Sequence, residues 1–212
     1  MLNEDRVKTN IPALFIDVNQ VVPDIHLDLK YFTGDNFLAS PVDGYEAELC
    51  LITLPAAQAL ARVQQTLAVF GLGLSVFDAY RPQRAVDHFI RWTEDDSPNV
   101  TQGEYFPGLE PKDLFQQGYL VKHSSHSRGS TVDLALIDLE TGIELDMGTR
   151  FDFIGPASWF DCPSVHGQAR ANRMLLQQVM VQNGFLPFQQ EWWHFTLQDE
   201  PYPDQYFDFP IS

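Results

Sequence analysis

The sequence has little cysteine and no long hydrophobic run. Its two cysteines, Cys50 and Cys162, lie far apart and form no CxxC pair. This excludes a sulfur-rich zinc site, and isolated cysteines are more typical of small buried side chains than of a disulfide. No segment approaches the ~20 apolar residues that a membrane helix needs, and no signal-like stretch is visible. We therefore expect a cytoplasmic protein without a membrane span, although a chain trimmed of a signal would have the same sequence.

Positive charge is also scarce. Thirteen Lys and Arg residues stand against 29 Asp and Glu residues, which gives a net charge of −16. Such a surface repels phosphate, so nucleic acid is a poor partner. Hydrophobic residues make up 44% and charged residues 20% of the 212 residues, an ordinary globular composition that predicts one domain over residues 1–212. The aromatic tail at 201–212 leaves a homo-oligomer open.

Hydrophobic periodicity predicts a mixture of helices and strands. Helical spacing and terminal signals mark three segments, 55–70, 82–92 and 167–183. Alternation and β-branched or aromatic residues mark four segments, 74–80, 130–139, 142–147 and 191–197. Residues 95–118 lack periodicity and are predicted to form a long surface loop, and the proline-rich tail is predicted to pack its aromatics across the surface.

The order of these segments favours one fold class. Helices mostly precede the later strands, which is typical of an α+β protein rather than a doubly wound one. We therefore predict a mainly antiparallel central sheet flanked by helices.

The segment HSSHSRGSTVD at residues 123–133 is the first that carries chemistry. His126 and Asp133 stand seven residues apart around an SRGS turn. Asp133 falls within an otherwise apolar strand, where a carboxylate is costly to bury unless it is paired or bound to a metal. Taken alone, His126 could simply cap a turn, and Asp133 could pair with an arginine.

The segment EWWH at residues 191–194 is the second. His194 alone would most often be a hydrogen-bonded core histidine, but Glu191 three residues earlier strengthens the case for a site. Strict strand alternation would place Glu191 and His194 on opposite faces. Both reach one site only if Glu191 precedes the regular strand or lies at a bulge.

The two segments together supply the ligands of a zinc site. Zinc accepts nitrogen and oxygen ligands, and a catalytic zinc keeps one position for water. The metal lowers the pKa of that water, and a nearby carboxylate takes the proton. We therefore predict one Zn²⁺ per chain on the sheet, held by His126, Asp133 and His194, with Glu191 as the acid–base partner. The helical HExxH pattern is absent.

These residues resemble those of the zinc D-alanyl-D-alanine dipeptidases associated with vancomycin resistance. The resemblance rests on SxHSRGSxVDL and the downstream ExWH. It extends in order through further segments: DLKYFTGDNF at 28–37, FDAYRP at 77–82, DMGTRFD at 146–152 and the closing PYPDQYFDFP. It therefore covers the chain from near residue 15 to its end.

The resemblance implies roles for individual residues. His126, Asp133 and His194 match the zinc ligands, and Glu191 matches the catalytic base. Arg81 matches an arginine that steadies the oxyanion. The remaining matches concern the substrate's two ends: Ser124 lies near the carboxylate, and Tyr31 and Asp152 receive the ammonium.

Physical chemistry supports this assignment of the two ends. A dipeptide is a zwitterion, and a pocket that pairs with both charges rejects longer chains because one buried partner would be left unpaired. Arg81 offers a permanently charged fork for developing negative charge. Each residue also has a plainer explanation: Arg81 as a salt bridge, Tyr31 as core and Ser124 as a turn residue. The other histidines, His26, His88, His123 and His166, are expected to be structural.

We therefore predict a zinc-dependent hydrolysis of the small dipeptide D-alanyl-D-alanine to two D-alanines. Two alternatives remain open. One is a zinc D,D-carboxypeptidase or endopeptidase acting on peptidoglycan peptides. The other is a non-catalytic protein in which zinc stabilises a binding domain, which the presence of both Glu191 and Arg81 disfavours. Residue types do not determine the stereochemistry, so the D,D preference rests on the resemblance.

Overall fold

A five-stranded sheet lies at the centre of the protein, with a separate two-stranded sheet beside it. The structure, a computed structural model, describes residues 11–95 and 99–212. The strands are β1 (Phe15–Asp17), β2 (His26–Leu27), β3 (Leu51–Thr53), β4 (Leu72–Asp78), β5 (Thr131–Asp138), β6 (Phe185–Pro187) and β7 (His194–Leu197). The α-helices are α1 (Lys30–Thr33), α2 (Leu54–Ala68), α3 (Gln83–Thr93), α4 (Gln102–Tyr105), α5 (Pro111–Gln116) and α6 (Gly167–Gln182).

The large sheet has the order β2-β4-β5-β7-β6, and β1 pairs with β3 in the small sheet. Every pairing is antiparallel except that between β2 and β4. The predicted α+β class and the mainly antiparallel sheet are therefore confirmed. The centre of the sheet is deeply buried: the seven residues Thr131–Ile137 of β5 are all inaccessible to solvent or nearly so.

The three long helices lie where their periodicity predicted them. Helix α2 has Pro55 in its first turn and buries one stripe of small and aliphatic side chains, which is the pattern of a helix packed on a sheet. Helix α3 begins directly after Pro82. Helix α6 ends at Gln182, just before Asn183 and Gly184, and packs against both α2 and the sheet.

Three predictions of secondary structure were wrong in detail. The segment 95–118 is not a plain loop, because it contains α4 and α5; residues 96–98 lie outside the described residues. The segment 142–147 forms only one isolated bridge, between Glu144 and Ile137, rather than a strand. The last strand begins at His194 and not at residue 191, because residues 188–191 form a turn.

The aromatic tail packs into the core rather than across the surface. Phe207 and Phe209 are each 1% exposed, and the Phe209 ring stacks on Tyr80 at 4.3 Å. The Tyr80 hydroxyl donates to Phe209 O and accepts from Phe209 N, both at 3.0 Å. Aromatic rings bury more apolar area than most other side chains. The free energy gained by burying them is therefore enough to hold this proline-rich segment, which forms no helix, against the core.

Cys50 and Cys162 are both buried free thiols, as predicted. Of the helices described, none is long and apolar enough to cross a membrane.

Candidate metal centre and active site

Two adjacent strands and the turn before them bring the three predicted ligands together. Asp133 of β5 and His194 of β7 are direct register partners. His126 lies in the 3-10 helix Ser125–Arg128, which leads into β5. One ligand atom from each residue lies within 4.8 Å of the others.

Gly129 sets the backbone direction between His126 and β5. It ends the 3-10 helix with φ +85°, a left-handed conformation that favours glycine. A Cβ at this position would overlap the ring of Phe15. Gly129 O also accepts a hydrogen bond from Thr53 N at 2.8 Å, so the turn is anchored to β3.

The protonation of His126 follows from its neighbours. His126 Nδ1 lies 2.7 Å from Ala79 O, and a carbonyl only accepts, so Nδ1 carries the proton. Burial lowers the pKa of His126, although Asp133 opposes the effect. In the neutral ring, Nε2 is therefore an acceptor. It faces Asp133 Oδ2 at 3.2 Å and His194 Nδ1 at 3.3 Å.

Asp133 and His194 add further acceptors at the same point. His194 Nε2 lies 3.3 Å from the hydroxyl of Ser125, which leaves Nδ1 directed at the cluster. Asp133 Oδ1 is buried without a well-oriented hydrogen bond, although it lies 3.1 Å from His194 Nδ1. Acceptor atoms that face one another repel, and one carboxylate oxygen here has no hydrogen-bond donor. Such a group is stable only with a shared proton or a cation between the acceptors. The donor set therefore fits a metal ion such as zinc.

The charges of the cluster agree with this conclusion. Burial alone would raise the pKa of Asp133, but His126 and His194 hold it well below its usual range. Burial alone would lower the pKa of His194, but contact with Asp133 raises it.

Glu191 meets the geometric condition set by strand alternation. Its N–H donates to Phe188 O at 3.2 Å in the turn before β7, so the residue precedes the regular strand. Its Oε2 lies 3.4 Å from His194 Nδ1, and its side chain is 25% exposed. Burial raises the pKa of Glu191 to about 7, with a further contribution from Asp133. A carboxylate with such a pKa is suited to general acid–base work near neutral pH.

Arg81 lies between carboxylates and aromatic rings. Its Nε donates to Asp78 Oδ2 at 2.9 Å, and its Nη2 donates to Asp133 Oδ2 at 3.4 Å. The guanidinium carbon lies 4.9 Å from the centroid of Tyr31 and 5.2 Å from that of Phe89. This arrangement holds a permanent positive charge beside the proposed metal cluster.

Tyr31 and Asp152 form a pair at another part of the pocket. The Tyr31 hydroxyl donates to Asp152 Oδ2 at 2.8 Å. Asp152 has φ +58°, an uncommon value for a residue other than glycine. Burial and the nearby Asp133 raise the pKa of Asp152 well above its usual range. A cationic group placed here would favour its ionised form.

Ser124 precedes the 3-10 helix and is 7% exposed. Its hydroxyl accepts a hydrogen bond from His126 N at 3.3 Å, which caps the helix. Ser124 therefore stabilises the turn, which agrees with the plainer explanation of this residue, and it also lines the pocket.

One pocket contains all eight predicted site residues. Its volume is about 240 Å³, smaller than the roughly 300–1,000 Å³ typical of sites for drug-sized ligands. Its walls are largely apolar and include Phe37, Val86, Phe89, Tyr119, Leu120, Val121, Phe153, Ile154, Phe188 and Trp193. The pocket therefore suits a small substrate with a few charged groups.

Asp78 is a further buried carboxylate of the site, and no motif in the sequence predicts a role for it. A register shift between Val76 and Asp78 places it opposite Asp133, and it is 1% exposed. Its Oδ1 accepts from the Tyr45 hydroxyl at 2.7 Å, and its Oδ2 accepts from Arg81. The sequence does contain a signal for a functional role of Asp78, because this residue, like Asp133, is a lone carboxylate in an apolar strand.

The remaining histidines make contacts outside the cluster. His123 Nδ1 lies 3.2 Å from Gln83 Oε1, and His26 Nδ1 lies 2.9 Å from Ser75 Oγ. His88 accepts a hydrogen bond from the backbone of a neighbouring loop, and His166 precedes α6. The contacts of His26, His88 and His123 agree with the structural roles expected of them.

Comparison with known proteins places the chain in a class and then in a family. Residues 12–212 match the model of peptidase family M15, whose description is D-ala-D-ala dipeptidase. The protein is therefore a metallopeptidase of the dipeptidase class. More specifically, the chain belongs to the D-ala-D-ala dipeptidase family.

Curated relatives agree over nearly the full length. A D-alanyl-D-alanine dipeptidase of Streptomyces coelicolor is 43% identical over 93% of this chain and 98% of its own. One from Enterococcus faecalis is 41% identical with the same coverage. One from Escherichia coli is 35% identical over 89% of this chain and 87% of its own.

Proposed function

We propose that this chain is a zinc-dependent dipeptidase that hydrolyses D-alanyl-D-alanine to two D-alanines. The observation that carries the proposal is the convergence of three acceptors from His126, Asp133 and His194, one of them an orphaned carboxylate oxygen, beside Glu191. The family match over residues 12–212 supports one dipeptidase domain, and the relatives' printed names support the substrate.

Glu191 is the proposed general base and acid. Zinc bound by the three ligands would polarise the peptide carbonyl and lower the pKa of the attacking water. The Glu191 carboxylate removes a proton from that water and returns it to the nitrogen of the leaving D-alanine. Its position before β7, with Oε2 3.4 Å from His194 Nδ1, supports this role.

Arg81 stabilises the negative charge that develops on the carbonyl oxygen. Its guanidinium remains charged at all relevant pH values and is oriented by Asp78 and by the faces of Tyr31 and Phe89. A positive charge that is already oriented in a partly dry pocket stabilises a transition state without further reorganisation.

The remaining residues bind the two charged ends of the substrate. Asp152, supported by the Tyr31 hydroxyl, pairs with the ammonium, and Ser124 lies near the carboxylate. A longer peptide would lack a free ammonium at the correct distance and would leave Asp152 buried without its partner. The arrangement therefore predicts a preference for dipeptides over wall peptides.

Replacement of Glu191 by alanine tests the mechanism. Glu191→Ala should still bind one zinc per chain but lose nearly all turnover of D-Ala-D-Ala, because the ligands remain and the base does not. Glu140→Ala, on the exposed turn after β5, is the matched control and should retain activity. Chelation should abolish hydrolysis by the wild type, and added zinc should restore it. Full activity of Glu191→Ala would refute the assigned role.

Two comparisons decide between the proposal and its alternatives. A D,D-carboxypeptidase would hydrolyse a pentapeptide ending in D-Ala-D-Ala at least as well as the free dipeptide. A non-catalytic zinc protein would hydrolyse no D,D- or L,D-dipeptide even when fully loaded with metal. The proposed dipeptidase should hydrolyse the free dipeptide far better than the pentapeptide.

A further inference from the structure

Arg173 is a buried arginine whose contacts are almost all with one loop. It lies in the middle of α6 and is 1% exposed. Its Nε donates to Met147 O at 2.6 Å, and its Nη1 donates to Trp159 O at 2.9 Å. Its Nη2 donates to Ala157 O at 2.9 Å and to Thr149 Oγ1 at 3.4 Å. We call residues 147–159 the clamped loop.

Arg173 forms no ion pair within the part of the chain that the structure describes. Burial lowers the pKa of its guanidinium to about 10. A buried cation without a carboxylate in contact is costly, and here backbone carbonyls provide the compensation. An apolar side chain would fill this position without the free-energy cost of burying a charge. It would not provide the hydrogen bonds that the planar guanidinium donates to several carbonyls at once.

The clamped loop carries part of the pocket. Its first and last residues both bond to Arg173, so the guanidinium closes the base of the loop. Asp152 lies near its middle in the left-handed conformation, with φ +58°. Phe153, Ile154 and Gly155 follow it and also line the pocket. Such a backbone conformation persists only where surrounding contacts hold it.

The same hydrogen-bond network reaches the residue next to Glu191. Trp192 Nε1 donates to Thr149 Oγ1 at 2.8 Å, the oxygen that Arg173 also contacts. Trp192 N donates to Ser158 O at 3.0 Å. The loop that carries Asp152 and the turn that carries Glu191 are therefore fixed to one another through a shared set of bonds.

We propose that Arg173 is a positioning residue that fixes the separation between Asp152 and Glu191, and so determines where the substrate's ammonium lies relative to the reacting bond. The inference rests on the proposed function, since it assumes that Asp152 receives the ammonium. Arg173 acts through the clamped loop and does not touch the substrate.

Lysine separates the geometry of Arg173 from its charge. An arginine presents five N–H donors from three nitrogen atoms in a rigid plane, whereas a lysine presents three donors from one nitrogen. Carbonyls that lie on different edges of the guanidinium, such as those of Met147 and Trp159, are out of reach of one ammonium at the same time. Arg173→Lys therefore keeps the charge but releases part of the loop.

The test compares D-Ala-D-Ala with isobutyryl-D-alanine, in which a methyl group replaces the ammonium and the shape is kept. For Arg173→Lys we expect KM for D-Ala-D-Ala to rise roughly tenfold, as for a weakened charged hydrogen bond, with kcat within about threefold of wild type. The preference in kcat/KM for the dipeptide over the analogue should fall by a similar factor. Thr149→Val, which removes the shared acceptor but keeps the side-chain shape, should shift both values in the same direction.

Two controls separate positioning from general destabilisation. Arg170→Lys changes an exposed arginine on the same helix that donates to Cys162 O, outside the clamped loop. Val179→Ala makes a cavity on the buried face of α6 and lowers the melting temperature. Both should leave KM and the preference for the ammonium unchanged. Amide hydrogen exchange should increase across residues 147–159 in Arg173→Lys but not in Arg170→Lys.

The outcomes are distinguishable from those that test the proposed function. If wild-type protein loaded with zinc does not hydrolyse D-Ala-D-Ala, the proposed function fails. If the wild type is active but both Arg173→Lys and Thr149→Val retain its KM and its preference for the ammonium, the positioning role is refuted. The role is also refuted if Val179→Ala shifts KM as much as Arg173→Lys does.

Discussion

Replacement of Asp78 by asparagine should weaken catalysis while leaving the zinc ligands in place. Asparagine keeps the shape of the side chain but removes the charge that faces Arg81 Nε at 2.9 Å. If its amide oxygen faces Arg81, its NH₂ group faces the Tyr45 hydroxyl, which must then accept instead of donate. A hydrogen bond to a charged group contributes about 1.5–3 kcal/mol, which corresponds to a loss of roughly 10- to 150-fold in kcat/KM.

The loss should fall mainly on kcat, because Arg81 is proposed to act on charge that develops in the transition state. Steady-state hydrolysis of D-Ala-D-Ala measures it, together with the zinc content of each variant. Asp87→Asn is the matched control. Asp87 is an exposed carboxylate on α3 that accepts from Gln83 Nε2 at 3.0 Å, and this contact does not involve the pocket.

An Asp78→Asn enzyme with one zinc and a kcat within about twofold of wild type would refute the reasoning, because Arg81 would then need no carboxylate to orient it. Loss of zinc would point instead to an effect on His126, whose Nδ1 lies 3.5 Å from Asp78 Oδ2.

Two further predictions concern pH and the turn before β5. Burial raises the pKa of Glu191 to about 7 without metal, and a nearby cation lowers it. Because only the ionised carboxylate accepts a proton, kcat/KM should fall as pH decreases below a midpoint under about 7; a flat profile from pH 8 to 5 would contradict this. Gly129→Ala should cost about 1–2 kcal/mol for its left-handed backbone, or roughly 2–8 °C in Tm for a chain of this size. Overlap with Phe15 should increase the loss and displace His126; an unchanged Tm with full zinc binding would show that the turn tolerates a Cβ.

The long elements could be predicted from the sequence because their signals are local. Helices α2, α3 and α6 each bury one stripe of side chains and have recognisable ends. The short elements could not, because α4 and α5 have four and six residues, too few to show a period. The segment 142–147 alternates like a strand, but only Glu144 forms a bridge.

Some residues of the candidate site could be predicted from the sequence and others could not, because only some of them have a local signal. Asp133 stood out because an apolar strand gives a carboxylate little other reason to be present. Asp78 meets the same criterion, but its contacts with Tyr45 and Arg81, which show its role, are apparent only from the fold. Arg173 looked like an ordinary helix residue, because its contacts lie 14 to 26 residues earlier in the chain.

The sequence by itself determined which donors are available and the order in which they occur. It also determined the fold class, because hydrophobic period and turn chemistry act between near neighbours. Only the tertiary structure decided that His126 and His194, 68 residues apart, direct two ring nitrogens to within 3.3 Å of each other. The same holds for the turn that brings Glu191 beside His194 and for the conformation of Asp152. Each depends on strand register and long-range hydrogen bonds, which no local pattern encodes.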